Sequence, residues 1–171
     1  MSNADDLIKH AEKLSKWYIR ALMSLTPVTQ PSFMCSRAYI QAAHACKLEG
    51  RYAEAGKWFL AAYNERVDYG LSLKLEPIQE AYNIFIIHDV PQAIECLNNI
   101  IEDYFSEGMY VQVYQNKYLL AEAYEKNKDT ARAIEAYNYV LCLAETTPCL
   151  KEYEVPCRER IKSLQAGTTP C

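Results

Sequence analysis

The sequence predicts an all-α fold, a right-handed α-solenoid of stacked antiparallel helical hairpins, and three observations predict it. One set of positions recurs three times: Ala43, Cys46, Ala55, Phe59 and Ala62; Ala81, Ile84, Ala93, Leu97 and Ile100; Ala121, Tyr124, Ala133, Tyr137 and Val140. The spacing within each set is identical, and the sets start 38 and then 40 residues apart. Glycine is scarce at five residues and proline at seven, so helices run long between short breaks. Small alanines at the first and third positions let two helices approach closely, and the larger residues fill the space between hairpins. One such hairpin cannot bury its apolar face alone, so neighbours must stack, and stacked hairpins present surfaces to other chains. A binding scaffold is expected, not an enzyme.

The elements follow in order. A first helix is expected from about Asp5 to Met23, with Leu7, Ala11, Leu14, Tyr18, Ala21 and Leu22 at helical spacing. Asp5 and Asp6 suit its N-terminus, where carboxylates meet the positive end of the helix dipole. The segment 24–35, holding Pro27 and Pro31, reads as a loop because proline has no amide hydrogen to continue a ladder. Three hairpins then occupy 36–145. The first pairs Ser36–Leu48 with Tyr52–Tyr69 across a turn at Gly50, with Gly70 closing it. The second pairs Pro77–Ile87 with Pro91–Glu107 and is closed by Gly108; the third pairs Tyr110–Lys126 with Thr130–Glu145. Residues 146–171 read as a short helix, about Pro156 to Gln165, and a frayed tail. The whole chain, 1–171, reads as a single domain.

Composition narrows the function. A net charge of −4 argues against a general nucleic-acid binder, which needs a basic surface to displace counterions from phosphate. No apolar run approaches the ~18–20 residues of a membrane span, and the acidic start lacks the layout of a signal peptide. A cytoplasmic protein is expected. The seven cysteines include no Cys-x-x-Cys pair. Cys46, Cys96 and Cys142 lie in apolar helical patterns, Cys149 and Cys157 lack a second ligand pair for zinc, and Cys171 is not a prenylation site. Reduced structural thiols are the expectation. His10, His44 and His88 have no ligand-spaced partner, and His44 reads as a packed or rim residue. No catalytic residue, cofactor, metal or small-molecule substrate is expected. Tyr110, Tyr114 and Tyr118 follow one helix face, as a recognition surface or, the favoured reading, as packing.

The third repeat, with Leu120-Ala121-x-x-Tyr124 followed by Ala133-x-x-x-Tyr137, resembles a tetratricopeptide (TPR) hairpin. The period is longer than the usual 34 or so residues. Ala42-Ala43-His44-Ala45-Cys46-Lys47 with Ala55-Gly56-Lys57-Trp58-Phe59, Pro91-Gln92-Ala93-Ile94-Glu95-Cys96-Leu97, and Ala121-Glu122-Ala123-Tyr124-Glu125 with Ala133-Ile134-Glu135-Ala136-Tyr137 together resemble the soluble NSF attachment protein (SNAP) family, alpha type. The ordered match covers about 36 to 145.

The resemblance implies an adaptor in vesicle-mediated transport that wraps the SNARE four-helix bundle and links it to the NSF-type AAA ATPase for disassembly. It implies no chemistry of the adaptor's own. It places Lys47 at a SNARE-gripping position, with Lys117 near another. A family lysine pair is replaced by Ile86-Ile87, and family basic residues by Met109 and Gln115. SNARE binding by this chain is therefore expected to be weak and salt-sensitive. Phe33 and Met34 fall where the family contacts membrane, so they read as a peripheral anchor or, alternatively, as residues packed under the loop. Complete members continue into a C-terminal bundle that engages the ATPase. The chain is thus either a piece of a longer protein or a short divergent member, and these 171 residues are not expected to support disassembly. The competing reading is a TPR-type scaffold that binds a peptide or assembles a complex unrelated to membrane fusion.

Overall fold

The structure, a computed structural model, describes residues 3–23, 31–66, 70–145 and 147–167; for 18–23 and 31–33 the description covers the backbone. Eight α-helices and one 3-10 helix make up the described residues, with no strand among them. They are α1 (Ala4–Met23), α2 (Pro31–Leu48), α3 (Tyr52–Asn64), α4 (Leu71–His88), α5 (Val90–Ser106), α6 (Tyr110–Lys126), α7 (Thr130–Ala144), the 3-10 turn Pro148–Tyr153 and α8 (Glu154–Gly167). They group into two compact units, 1–89 and 90–171.

In the first unit α1 packs on α2, α2 on α3, and α3 on α4. The small residues of the first repeat do what their size allows. Ala42, Ala43, Cys46, Ala55 and Ala62 have no exposed surface, and Phe59 fills the space they leave. Gly56 extends this logic: a Cβ there would lie 2.4 Å from the Phe85 ring of α4. Glycine is required because the ring occupies the volume any other side chain would need. The N-terminus of α1 is tied down by Glu49 Oε1, which accepts from the Ala4 amide at 3.0 Å. Arg51 adds ion pairs to Asp5, Glu49 and Glu54.

Several boundaries differ from expectation, each for a local reason. Helix α2 begins at Pro31, not Ser36, so residues 31–35 of the expected 24–35 loop are helical, and 24–30 lie outside the described residues. A proline at the first helical position sacrifices no hydrogen bond, because that amide has no intrahelical acceptor. Helix α3 stops at Asn64, short of Tyr69, and Gly70 serves as the N-cap of α4. Helix α4 begins at Leu71, leaving Pro77 inside it. A proline there removes the bond to the carbonyl four residues back. That carbonyl belongs to Leu73, and the Arg66 guanidinium donates to it instead. Arg66 Nε also donates to Ser36 Oγ at 2.7 Å, and Nη1 to Glu76 Oε2 at 3.1 Å. Both Arg66 and Ser36 are buried. One arginine thus satisfies α2, α4 and the backbone gap left by Pro77.

In the second unit α5 packs on α6, α6 on α7, and α7 on α8 and the 3-10 turn. Cys96, Leu97, Ile100, Val113, Leu120, Tyr137, Val140, Leu150 and Cys157 are buried between them. Helix α8 is longer than the short helix expected in the tail, and it contributes Cys157 and Ile161 to the core.

Three turns close in the same way. After α2, α5 and α6 the chain enters the left-handed region, at Gly50 (φ 76°), Gly108 (φ 70°) and Lys128 (φ 60°). In each, the next amide reaches back to a carbonyl five residues earlier: Arg51 to Cys46, Met109 to Tyr104 and Asp129 to Tyr124, each at 2.9 Å. This is the Schellman closure, which satisfies carbonyls that a helix end would otherwise leave orphaned. Glycine takes that conformation freely, whereas lysine crowds its Cβ against the following carbonyl. Asp129 compensates in part by capping α7, its Oδ1 accepting from the Arg132 amide at 3.2 Å.

Candidate partner-binding surfaces

Lys47 lies exposed in the last turn of α2, in the first unit. Its Nζ donates to Glu80 Oε2 on α4 at 3.2 Å. Both side chains are well exposed, so water screens the pair and a partner carboxylate can compete for the lysine.

Lys117 lies in the second unit, on α6, half-buried. It borders a groove of about 300 Å³ shaped by α5, α6 and α7. Asn98, Tyr124, Arg132, Glu135 and Tyr139 also line it. The Lys117 ammonium stands 5.8 Å from the centre of the Tyr139 ring, and the Arg132 guanidinium 5.8 Å from that of Tyr124. Each cation is therefore held over an aromatic face, which attracts it while leaving it able to meet an anion. Asp129 holds the other side of Arg132, with Nε to Oδ2 at 3.4 Å. Sequence reasoning does not single out Tyr124, Arg132 and Tyr139 as site residues. The signal for them is nonetheless present: an aromatic at the repeat's second position, and a cation three residues into the helix after the turn.

The tyrosine stripe on α6 runs from surface to interior. Tyr110 is exposed and meets Phe105 edge-on at 5.9 Å. Tyr114 tilts against Tyr139 at 6.2 Å. Tyr118 packs on Tyr137 at 5.6 Å and on Tyr153 at 5.1 Å. Packing describes Tyr114 and Tyr118, while Tyr110 is left open to solvent. Beneath the stripe, the Tyr137 hydroxyl donates to Glu125 Oε2 at 2.7 Å, and Arg160 of α8 approaches Glu125 Oε1 at 3.4 Å. Burial, then the Glu125 carboxylate, push the Tyr137 hydroxyl well above the usual phenol range, so it remains a donor. Burial also raises Glu122 above the usual carboxylate range.

Of the expected membrane-contact pair, Met34 is 58% exposed on the first turns of α2, and the side chain of Phe33 lies outside the described residues. Met34 shares a shallow surface with His10, Leu14 and Arg37. His44 lies at the rim, edge-on to Phe59 at 5.2 Å, and His88 stacks on Tyr52 at 4.6 Å. Cys35, Cys46, Cys96 and Cys157 are buried free thiols, whereas Cys142, expected in an apolar pattern, is exposed with Cys149. Burial raises the Cys96 thiol to about 12. Among the described residues no three His, Cys, Asp or Glu side chains are grouped to hold a metal. No described helix is long and apolar enough to cross a membrane.

The family model described as soluble NSF attachment protein, SNAP, matches residues 2–143. No curated protein matches the chain. Among solved structures, the nearly identical TPR-like repeats assigned to a putative kinesin light chain of Podosopora anserina are similar at 14% identity and a TM-score of 0.52, covering 96% of this chain and 90% of that one. A single-substitution variant of the same repeats gives 14% and 0.52, covering 94% and 85%. At that identity the likeness concerns the fold alone: an α-solenoid of TPR-like hairpins.

Proposed function

The chain belongs to the soluble NSF attachment protein family, and from that membership we propose that it is an adaptor that grips the SNARE four-helix bundle and links it to an NSF-type AAA ATPase in vesicle-mediated transport. The family match across 2–143 is the observation that carries this reading. Lys47 and Lys117 are its proposed SNARE contacts, joined by Arg132 in the same groove as Lys117. Held over tyrosine rings, Lys117 and Arg132 are pre-positioned for carboxylates on the acidic face of a coiled coil, so little side-chain freedom is lost on binding. Because Ile86, Ile87, Met109 and Gln115 stand where the family carries basic residues, the grip is weak and strongly salt-dependent. The adaptor performs no chemistry itself and takes no cofactor, nucleic acid or small-molecule substrate. It works in the cytoplasm, peripherally on membranes, with Phe33 and Met34 at the contact.

The test is capture from a cell lysate by the tagged protein at low salt, followed by mass spectrometry. SNAREs are the expected partners, with an NSF-type ATPase joining them where the C-terminal bundle of complete members is present as well. Recovery of chaperones or the subunits of an unrelated complex, without SNAREs, would replace the adaptor with a general TPR-type scaffold.

A further inference from the structure

Helix α1 turns its buried side, through Ala4 and Ala11, toward the first unit's core and leaves the opposite side open. On that open side Lys9, Lys13 and Lys16 follow one another at intervals of four and three residues, the spacing that stacks side chains along one helix face. All three are exposed, and none forms an ion pair with a described residue. Trp17 stands beside them, 53% exposed, and shares a shallow concavity with the three lysines and Glu12. Further around the helix, His10 and Leu14 adjoin Met34 and Arg37 of α2. Helix α1 thus borders two shallow concavities, one holding three lysines and an exposed indole, the other an exposed thioether. The same helix carries Asp5, Asp6 and Glu12, with Asp5 paired to Arg51, so its cations are concentrated between Lys9 and Lys16.

We propose that this α1–α2 surface docks on an anionic lipid bilayer, with Lys9, Lys13 and Lys16 at the headgroups and Trp17 in the interfacial layer. The inference rests on the reading of this end as membrane-facing and assigns it a lipid charge preference that Phe33 and Met34 alone do not supply. Each part has a chemical match in such a membrane. Lysine stems lie along the headgroups while their ammonium groups meet phosphate and carboxylate. An indole, apolar with one N–H, partitions to the polar–apolar boundary of a bilayer. Neither contact inserts deeply, so binding is reversible and needs both. The acidic face of a protein partner would match the lysines but leave the exposed Trp17 in a polar rim rather than a pocket, so the bilayer is the better fit.

The experiment is co-flotation of the full chain with vesicles of phosphatidylcholine alone, or of phosphatidylcholine containing phosphatidylserine, at low and high salt. The Trp58→Phe variant makes Trp17 the one remaining tryptophan, since the chain has two, and its emission is read in parallel. Binding is expected on the serine-lipid vesicles only, with a blue shift of Trp17 and release by salt. Lys9→Gln/Lys13→Gln/Lys16→Gln, all at exposed positions, should weaken it on the order of a hundredfold, about fivefold per lysine. Trp17→Ala should weaken it roughly tenfold. Equal binding to both vesicle types, sensitive to Met34→Ser but not to the lysine variant, would overturn the proposal while leaving the Phe33–Met34 contact in place. No flotation with either vesicle would overturn it too. So would an unshifted Trp17, or a triple variant that floats normally but loses captured SNAREs, which would make the stripe a protein-binding face.

Discussion

The repeat around α3 and the repeat around α7 share one register and are filled by different chemistry. In the first unit Phe59 occupies the large-residue position, Gly56 admits the Phe85 ring, and small residues close the rest. In the second unit Tyr137 takes the equivalent position, and its hydroxyl demands an acceptor, which Glu125 supplies at 2.7 Å. The position before the turn differs likewise: Cys46 is sealed, whereas Tyr124 is half-buried beneath Arg132. A hydrocarbon filling makes a closed wall. A tyrosine filling brings Glu125 and Arg160 to its hydroxyl, while the ring faces of Tyr124 and Tyr139 hold Arg132 and Lys117 at the groove. The spacing sets the architecture; the identity of the filler decides how much polar chemistry each repeat draws to it.

That contrast can be broken most severely at Phe85. Phe85→Ala should destabilise the first unit by about 3–5 kcal/mol in denaturant unfolding, the usual range for emptying an aromatic from a core. Gly56→Ala should cost about 1–3 kcal/mol by overpacking, and much of that loss should vanish when Phe85 is simultaneously replaced by leucine. Additive losses in the double variant would show that the two residues do not share one volume.

Arg66→Leu comes next, at about 2–3 kcal/mol, because the Ser36 hydroxyl and the Leu73 carbonyl both lose a charged donor. Amide exchange should quicken around Leu73 to Glu76 and at Ile78 before it does so elsewhere; uniform exchange across α4 would contradict the clamp. In the second unit Tyr137→Phe should cost only about 1 kcal/mol, since Glu125 keeps Arg160 and some access to water. An effect as large as that of Phe85→Ala would mean that the polar filling bears as much of the packing as the apolar one. The smallest change is a gain. Lys128→Gly should raise stability by roughly 0.5–1 kcal/mol by relieving the left-handed lysine at the third turn. A loss there would show that the lysine side chain contributes more than its backbone strain removes.

The sequence made the repeat legible because spacing and size suffice to define it. Of the fifteen repeat residues named from spacing, all but Tyr124 are buried. The left-handed turn at Gly50 was readable for the same reason, since glycine's freedom is a property of one residue. What escaped was whatever depends on a partner distant in sequence. Pro77 reads as a helix start until Arg66 is seen satisfying the Leu73 carbonyl. Gly56 reads as one residue of the family-like segment Ala55–Phe59 until Phe85 is seen filling the volume of its missing side chain. Lys117 was legible as a cation near a family position, but its placement over Tyr139 and its neighbour Arg132 over Tyr124 required two helices to be brought together.

The central claim is that this is an adaptor for the assembled SNARE bundle whose grip includes Lys47 and Lys117. The most direct measurement is a binding isotherm for a purified four-helix SNARE bundle, at low and at physiological ionic strength, against the native chain and the Lys47→Glu/Lys117→Glu variant. The account predicts weak binding by the native chain that falls steeply with salt, since exposed charges are screened beyond ~8 Å at physiological ionic strength. It predicts a loss of roughly tenfold or more on reversing both charges, in a variant whose helicity and melting are otherwise unchanged. An affinity that both salt and the double charge reversal leave untouched would contradict it.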